Sequence, residues 1–113
     1  MGTARVVLVT HPVRGARAFA RELVRRRLAA CVQLVPIASV YRWRGRVEQA
    51  REALLAIKTV RARLAALERH VRGAHPYDVP EFVVLVPSAV AAPYLAWLGA
   101  ETRAPRRAAR ARA

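Results

Sequence analysis

The sequence predicts an α+β domain of the ferredoxin-like kind, βαββαβ, with one unusually long β-hairpin and a short C-terminal helix. Three observations predict it. Two apolar runs, 5–10 and 82–86, read as strands, and two stretches, 16–29 and 60–72, carry helical spacing. Between them, residues 30–59 form two strand-like arms around a single turn signal, Arg44-Gly45.

The first run, R-V-V-L-V-T, is continuously apolar, as in a strand covered on at least one face. His11-Pro12 is expected to end it, and Gly15 permits a turn into a helix. Ala16, Phe19, Ala20, Leu23, Val24 and Leu28 then fall on one helical face, with Arg17, Arg21, Arg25 and Arg26 opposite. A basic amphipathic helix can lie on a membrane surface. The strand before it and the hairpin after it favour packing on a core instead.

The hairpin's first arm carries Val32, Val35, Ile37, Val40, Tyr41 and Trp43, which suit a pleated surface. Gly45 can take the positive φ of a tight turn or a G1 bulge. The second arm begins polar (Arg46, Glu48, Gln49, Arg51, Glu52) and ends apolar (Leu54, Leu55, Ile57). Pro36 cannot donate to a ladder, so it marks a bulge or an edge. Arms of this length project beyond a small core, which predicts pairing with another subunit.

Val60, Leu64, Leu67 and Val71 give the second helix its buried stripe, and Gly73 is placed as its left-handed C-terminal residue. The loop A-H-P-Y-D-V-P-E follows, then a buried strand over Phe82 to Val86 closed by Pro87. Pro93 opens a third helix with Tyr94, Leu95 and Leu98 on one side. Residues 1–102 therefore form one domain. Residues 103–113, all Arg, Ala, Pro and similar, read as a disordered basic tail.

Net charge is +14, from 21 Lys and Arg against 7 Asp and Glu, which raises nucleic acid as a partner. Arg and Ala are overused along the whole chain, however, so the charge reads as compositional bias and nucleic-acid binding is not expected as the main role. No apolar run approaches the roughly 18 residues of a membrane span, and Val6 to Val9 is too short for a signal peptide, so a cytoplasmic protein without membrane contact is expected. Cys31, the sole cysteine, excludes an intrachain disulfide and reads as an inert core thiol. No phosphate loop, dinucleotide fingerprint, hydrolase elbow or paired-cysteine zinc motif is present, and no enzymatic activity is expected.

Chemistry concentrates in the loop. His75, Tyr77, Asp78 and Glu81 could bind a transition metal or hold a proton-transfer site; equally, Pro76, Pro80 and Tyr77 could fix a rigid connection. Lys58 is the only Lys in a chain that otherwise uses Arg, which predicts a role that the Arg fork cannot fill, such as a tight ion pair with Glu81. His11 can approach the same region, whereas His70 sits on a helix face among arginines. Tyr41 and Trp43 near the hairpin tip read as a subunit contact, with stacking on nucleobases as the alternative.

L-A-A-C-V at 28–32, S-V-Y-R-W-R-G-R-V-E at 39–48, I-K-T at 57–59, H-P-Y-D-V-P-E at 75–81 and Y-L-A-W-L at 94–98 together resemble the CutA family of divalent-cation tolerance proteins. The resemblance runs from about Val6 to Leu98. It implies a ferredoxin-like protomer in a tight homotrimer, similar in architecture to PII signalling proteins. In such a trimer Tyr41 and Trp43 make contacts, and Lys58, Tyr77 and Glu81 line an inter-subunit cleft that could hold an effector or partner segment. It also implies divalent metal ions as partners, with Cu(II) or another divalent cation as a cofactor not required for folding. Members proposed to bind copper use a Cys near the end of the first strand and two consecutive His before Pro-Tyr. Here Val9 and Ala74 stand at two of these positions and only His75 carries over, so a site would be completed by Asp78 and Glu81, by His11 or by a His of a neighbouring subunit, with weaker affinity. Metal binding through such a site would vanish on His75→Ala.

Overall fold

The computed structural model of the protein describes residues 2–104. The elements follow the predicted order: β1 (Ala4–Pro12), α1 (Ala16–Arg25), β2 (Cys31–Trp43), β3 (Arg46–Val60), α2 (Leu64–Ala74), β4 (Val83–Leu85) and α3 (Ala92–Glu101). One 3-10 turn, Arg61–Arg63, precedes α2. The strands form one antiparallel sheet in the order β2-β3-β1-β4, the ferredoxin-like arrangement. The expected tail begins at Arg103, and beyond Ala104 it lies outside the described residues.

Alternation along the central strands makes two unlike faces. Val7 and Val9 of β1 and Leu55 and Ile57 of β3 are fully buried against Leu23 of α1 and Leu67 of α2. The opposite face carries cross-strand rows. Val35, Leu54 and Thr10 make one, and Gln33, Ala56, Leu8 and Val83 the next. Cys31, Lys58, Val6 and Leu85 make a third. At one end α3 covers this face, with Leu95 and Leu98 packed on Ala4 and Val60. Nothing among the described residues covers the remainder, and Val35, Val83 and Leu85 are 47%, 45% and 45% exposed.

Two expectations of burial are corrected here. The apolar run 82–86 gives only a short edge strand, and Val83, Val84 and Leu85 are all exposed. Cys31 lies on the open face, half-buried, not in the core. An apolar run signals that something covers it without saying that the same chain does.

The hairpin turns through Arg44 (φ 52) and Gly45 (φ 79), both left-handed as a two-residue type I′ turn requires. Pairing then holds from Trp43 with Arg46 to Cys31 with Lys58. Pro36 faces Ala53 within this unbroken register, so it marks an edge and not a bulge.

Helix α1 stops short of Ala29. Arg27 takes φ 58, and the Leu28 and Arg27 N–H groups donate to the Leu23 and Val24 carbonyls (both 3.0 Å). This is a Schellman cap, and Leu28 buries itself against the α1 core stripe, as such caps favour. Helix α2 ends differently from expectation. Gly73 lies inside the helix without positive φ, and the stop comes at His75, extended at ψ 140 because Pro76 follows. Since Gly73 is exposed, with open space where a Cβ would sit, Gly73→Ala is expected to raise stability by about 0.5–1 kcal/mol in denaturant unfolding.

Candidate functional site

The loop that leaves α2 crosses the end of β1 and reaches the open side of the sheet, and His75 anchors the crossing. Its ring is buried among His11, Phe19 and Tyr77, with centroid separations of 4.9, 5.7 and 4.8 Å. The His75 Nε2–H donates to the Thr10 carbonyl (2.7 Å), and Nδ1 accepts the Tyr77 backbone N–H (3.1 Å). A carbonyl can only accept and an amide N–H can only donate, so these partners fix the neutral Nε2–H tautomer. Burial holds the imidazole below its ordinary value of 6.5, outweighing the opposing pull of the Thr10 carbonyl.

Tyr77 carries the connection onward. Its hydroxyl donates to Glu52 Oε2 on β3 (2.6 Å). Burial, then this hydrogen bond and the Glu52 charge, hold the phenol well above its ordinary value of 10.0, so it remains a donor. Glu52 itself is only 6% exposed. Burial and then the charge of Glu52 also raise the Glu81 carboxyl above 4.5. Between hairpin and loop lies a cleft of about 760 Å³. Tyr41 and Trp43 line one side, Tyr77, Asp78 and Glu81 the other, with Thr10 and Glu52 supplied by the sheet.

The structure thus brings together five of the residues singled out by sequence: Tyr41, Trp43, Tyr77, Asp78 and Glu81. It does not bring Lys58 to them. Lys58 Nζ donates to Gln33 Oε1 (2.8 Å), and the expected Lys58–Glu81 ion pair is absent among the described residues. Lys58 stands six positions along β3 from Glu52, about 20 Å at strand rise. His11 does approach His75, but its Nδ1–H is given to the Pro12 carbonyl (2.8 Å), with burial like that of its neighbour.

The expected donor set of His75, Asp78 and Glu81 does not fit a metal centre. Both His75 nitrogens are committed to backbone groups, so no lone pair faces outward. Among the described residues no three His, Cys, Asp or Glu side chains converge as a metal ion requires. His75 is therefore a structural residue in this arrangement.

Glu52 is the site residue that sequence reasoning passed over. It read as one of several polar residues at the start of the second hairpin arm. A signal existed in its period-two placement with Leu54 and Ala56, but only the register against β1 shows what covers it.

A family model described as CutA1 divalent ion tolerance protein matches residues 5–101. A CutA homolog from Xenopus laevis is 46% identical over 85 residues, covering 74% of this chain and 56% of the relative. The divalent-cation tolerance protein CutA of Thermus thermophilus is 44% identical over 99 residues, covering 86% of this chain and 96% of the relative. The chain therefore spans about half the length of the animal and plant relatives it matches, and nearly all of the Thermus one. The solved CutA structure from Synechococcus elongatus superposes with a TM-score of 0.87 at 35% identity, covering 90% of this chain and 92% of that one. CutA from Nostoc, described as a PII-like protein, gives 0.86 at 31%, covering 89% and 99%. With the PII-like ferredoxin fold, the H-P-Y-D-V-P-E loop and the match over 5–101, the chain belongs to the CutA family of divalent-cation tolerance proteins.

Proposed function

We propose that this chain serves divalent-cation tolerance as a cytoplasmic, non-catalytic homotrimer. The observation that carries the assembly is the open sheet face. Val35, Leu54, Leu8, Ala56, Val83 and Leu85 form a contiguous apolar surface that no element among the described residues covers. Monomers rarely leave such a surface to water. The likeness to a PII-like relative favours three copies over two, with Tyr41 and Trp43 of the projecting hairpin as contacts. No helix among the described residues is long and apolar enough to cross a membrane, which is in keeping with this reading. Sedimentation equilibrium at micromolar concentration is expected to give about three times the 12.5 kDa chain mass. A 12.5 kDa species would overturn the assembly.

Copper(II) enters this proposal only as a weak partner of the Asp78 and Glu81 oxygens. Calorimetric titration is expected to show no tight site, and His75→Gln should leave the weak binding unchanged.

The cleft favours a second role for the same trimer. Its volume suits a small ligand, and aromatic faces with a few buried polar groups are the usual lining of such sites. In this reading the trimer is a PII-like module whose state depends on what occupies the cleft between hairpin and loop.

A further inference from the structure

The 21 basic residues of this chain are not spread evenly over the fold. Residues 14–27 and 61–72, which comprise α1, most of α2 and their adjoining turns, hold 10 arginines against 2 acids, Glu22 and Glu68. Residues 28–60 and 73–81, the hairpin and the loop, hold 5 basic residues against 4 acids. A bias toward arginine explains the number of cations but not this division.

The helical arginines point away from the sheet. In α1 the buried residues are Ala16, Phe19, Ala20 and Leu23, whereas Arg17, Arg21 and Arg25 are exposed on the opposite side. In α2 Leu67 and Val71 are buried, whereas Arg69 and Arg72 are exposed. The Phe19 and His70 ring centroids lie 6.0 Å apart, so the helices are neighbours and their outer stripes form one layer. Glu22 answers Arg25 and Arg26, and Glu68 answers Arg72. Arg14, Arg17, Arg21, Arg61 and Arg69 have no carboxylate partner among the described residues. One end of the layer gathers further charge. Arg63 Nε donates to the Arg27 carbonyl (3.2 Å), and Arg27 Nη1 donates to the Glu101 carbonyl (3.2 Å). Helix α3 ends there, and the sequence beyond it adds arginines at 103, 106, 107, 110 and 112. The layer covers the sheet face opposite to the one proposed to join copies, so it remains on the outside of the assembly.

We propose that this outer helical layer binds the phosphodiester backbone of a nucleic-acid duplex without reading its sequence. The planar fork of arginine matches phosphate oxygens, and a row of uncompensated forks matches a row of phosphates. The layer offers no ring on which a single strand could stack its bases, because the exposed aromatics Tyr41, Trp43, Tyr94 and Trp97 belong to the hairpin and α3. A membrane surface fits less well. The apolar stripe of α1 is packed on the core, so the helix has no apolar face to insert among lipids. Each helix is about 15 Å long, the axial rise of roughly four base pairs, which sets about four phosphate contacts per layer.

The test is fluorescence anisotropy of a short labelled DNA duplex of mixed sequence, titrated with the full chain. With about four contacts, affinity should fall about a hundredfold between roughly 50 and 200 mM salt. Arg17→Gln with Arg21→Gln is expected to weaken binding about tenfold at the lower salt and to reduce the logarithmic salt slope by about two. Both positions are exposed and glutamine suits a helix, so the fold should be kept. Arg44→Gln with Arg46→Gln removes the same charge from the hairpin tip and should leave the affinity within about twofold. A duplex RNA of the same sequence separates the two sources of this backbone, the tighter duplex being the partner. Equal weakening by the two variants would mean that net charge alone is felt, and would overturn the assignment. So would binding that survives the helix variant but is lost when Arg106, Arg107, Arg110 and Arg112 are changed to Gln, since the tail would then act alone. Vesicles of phosphatidylserine and phosphatidylcholine bound as tightly as the duplex, with the same loss in the helix variant, would assign the layer to a membrane instead. Absence of duplex binding at the lower salt overturns the proposal outright.

Discussion

His75→Ala is expected to destabilise the metal-free protein by about 2–4 kcal/mol, because it leaves two backbone groups unpaired and empties an aromatic cluster. The Thr10 carbonyl and the Tyr77 N–H both lose their partner, and both lie where β1, α2 and the loop meet. The packing of His11, Phe19 and Tyr77 around the ring is lost as well. With typical stabilities of about 5–15 kcal/mol, a loss of this size is readily measured by denaturant unfolding in the presence of chelator. Two further variants divide the effect. His75→Gln can still donate toward Thr10, and His75→Asn can still accept from Tyr77, so each should recover part of the loss. A ligand role predicts the opposite: little change without metal, and loss of metal binding in all three. The pH dependence carries the same distinction. Burial lowers the folded-state value of His75 below 6.5, so the unfolded chain binds the proton more readily. The stability His75 contributes is then complete above the unfolded value and declines as pH falls through the folded one. His70, also lowered chiefly by burial, adds to this slope. The acid-side slope should therefore flatten in His75→Gln but not vanish. An unchanged slope and unchanged stability would show that the ring is not the anchor described here.

How far the sequence reaches can be judged from single residues. The order of strands and helices was legible because apolar spacing changes period at each boundary, and Arg44-Gly45 was the single turn signal between the two arms, a tight turn or a G1 bulge, which the structure resolves as a two-residue turn. Gly73 misled because glycine marks a helix end only where the chain needs positive φ, and here Pro76 had already set the stop. Lys58 misled for a different reason. Its rarity in an Arg-rich chain drew attention to it, but its partner in the protomer is Gln33, diagonally across the hairpin, and not the acid of the loop. His75 stood out in the sequence with two readings, metal ligand and structural anchor. Only the positions of the Thr10 carbonyl and the Tyr77 N–H decide between ligand and anchor, and no spacing in the sequence encodes them. Glu52 was missed because its neighbours along the chain are polar, whereas its neighbours in space, through the register with β1, are Pro12 and the loop.

The open face supplies the other large effect. Leu54→Asp is expected to leave the protomer folded and to dissolve the assembly. Leu54 is only half-buried in the protomer, between Val35 and Thr10 in a row on the uncovered side, so an aspartate there still reaches water when the chain is alone. In a trimer that closes this face, each copy would bury one unpaired carboxylate. Such a charge costs about 3 kcal/mol or more, roughly a hundredfold to thousandfold in association for each copy. The three copies act on one equilibrium, so the combined loss exceeds what any micromolar sample tolerates. Sedimentation should show the chain at its 12.5 kDa monomer mass, with far-ultraviolet circular dichroism unchanged in shape. Val13→Asp, at a 61% exposed position off the sheet, is the matched control and should remain assembled. A Leu54→Asp protein that still sediments as the wild type does would mean that the open apolar face is not the contact between copies. The hairpin arms alone would then have to hold them, and Tyr41 and Trp43 would be the next residues to change.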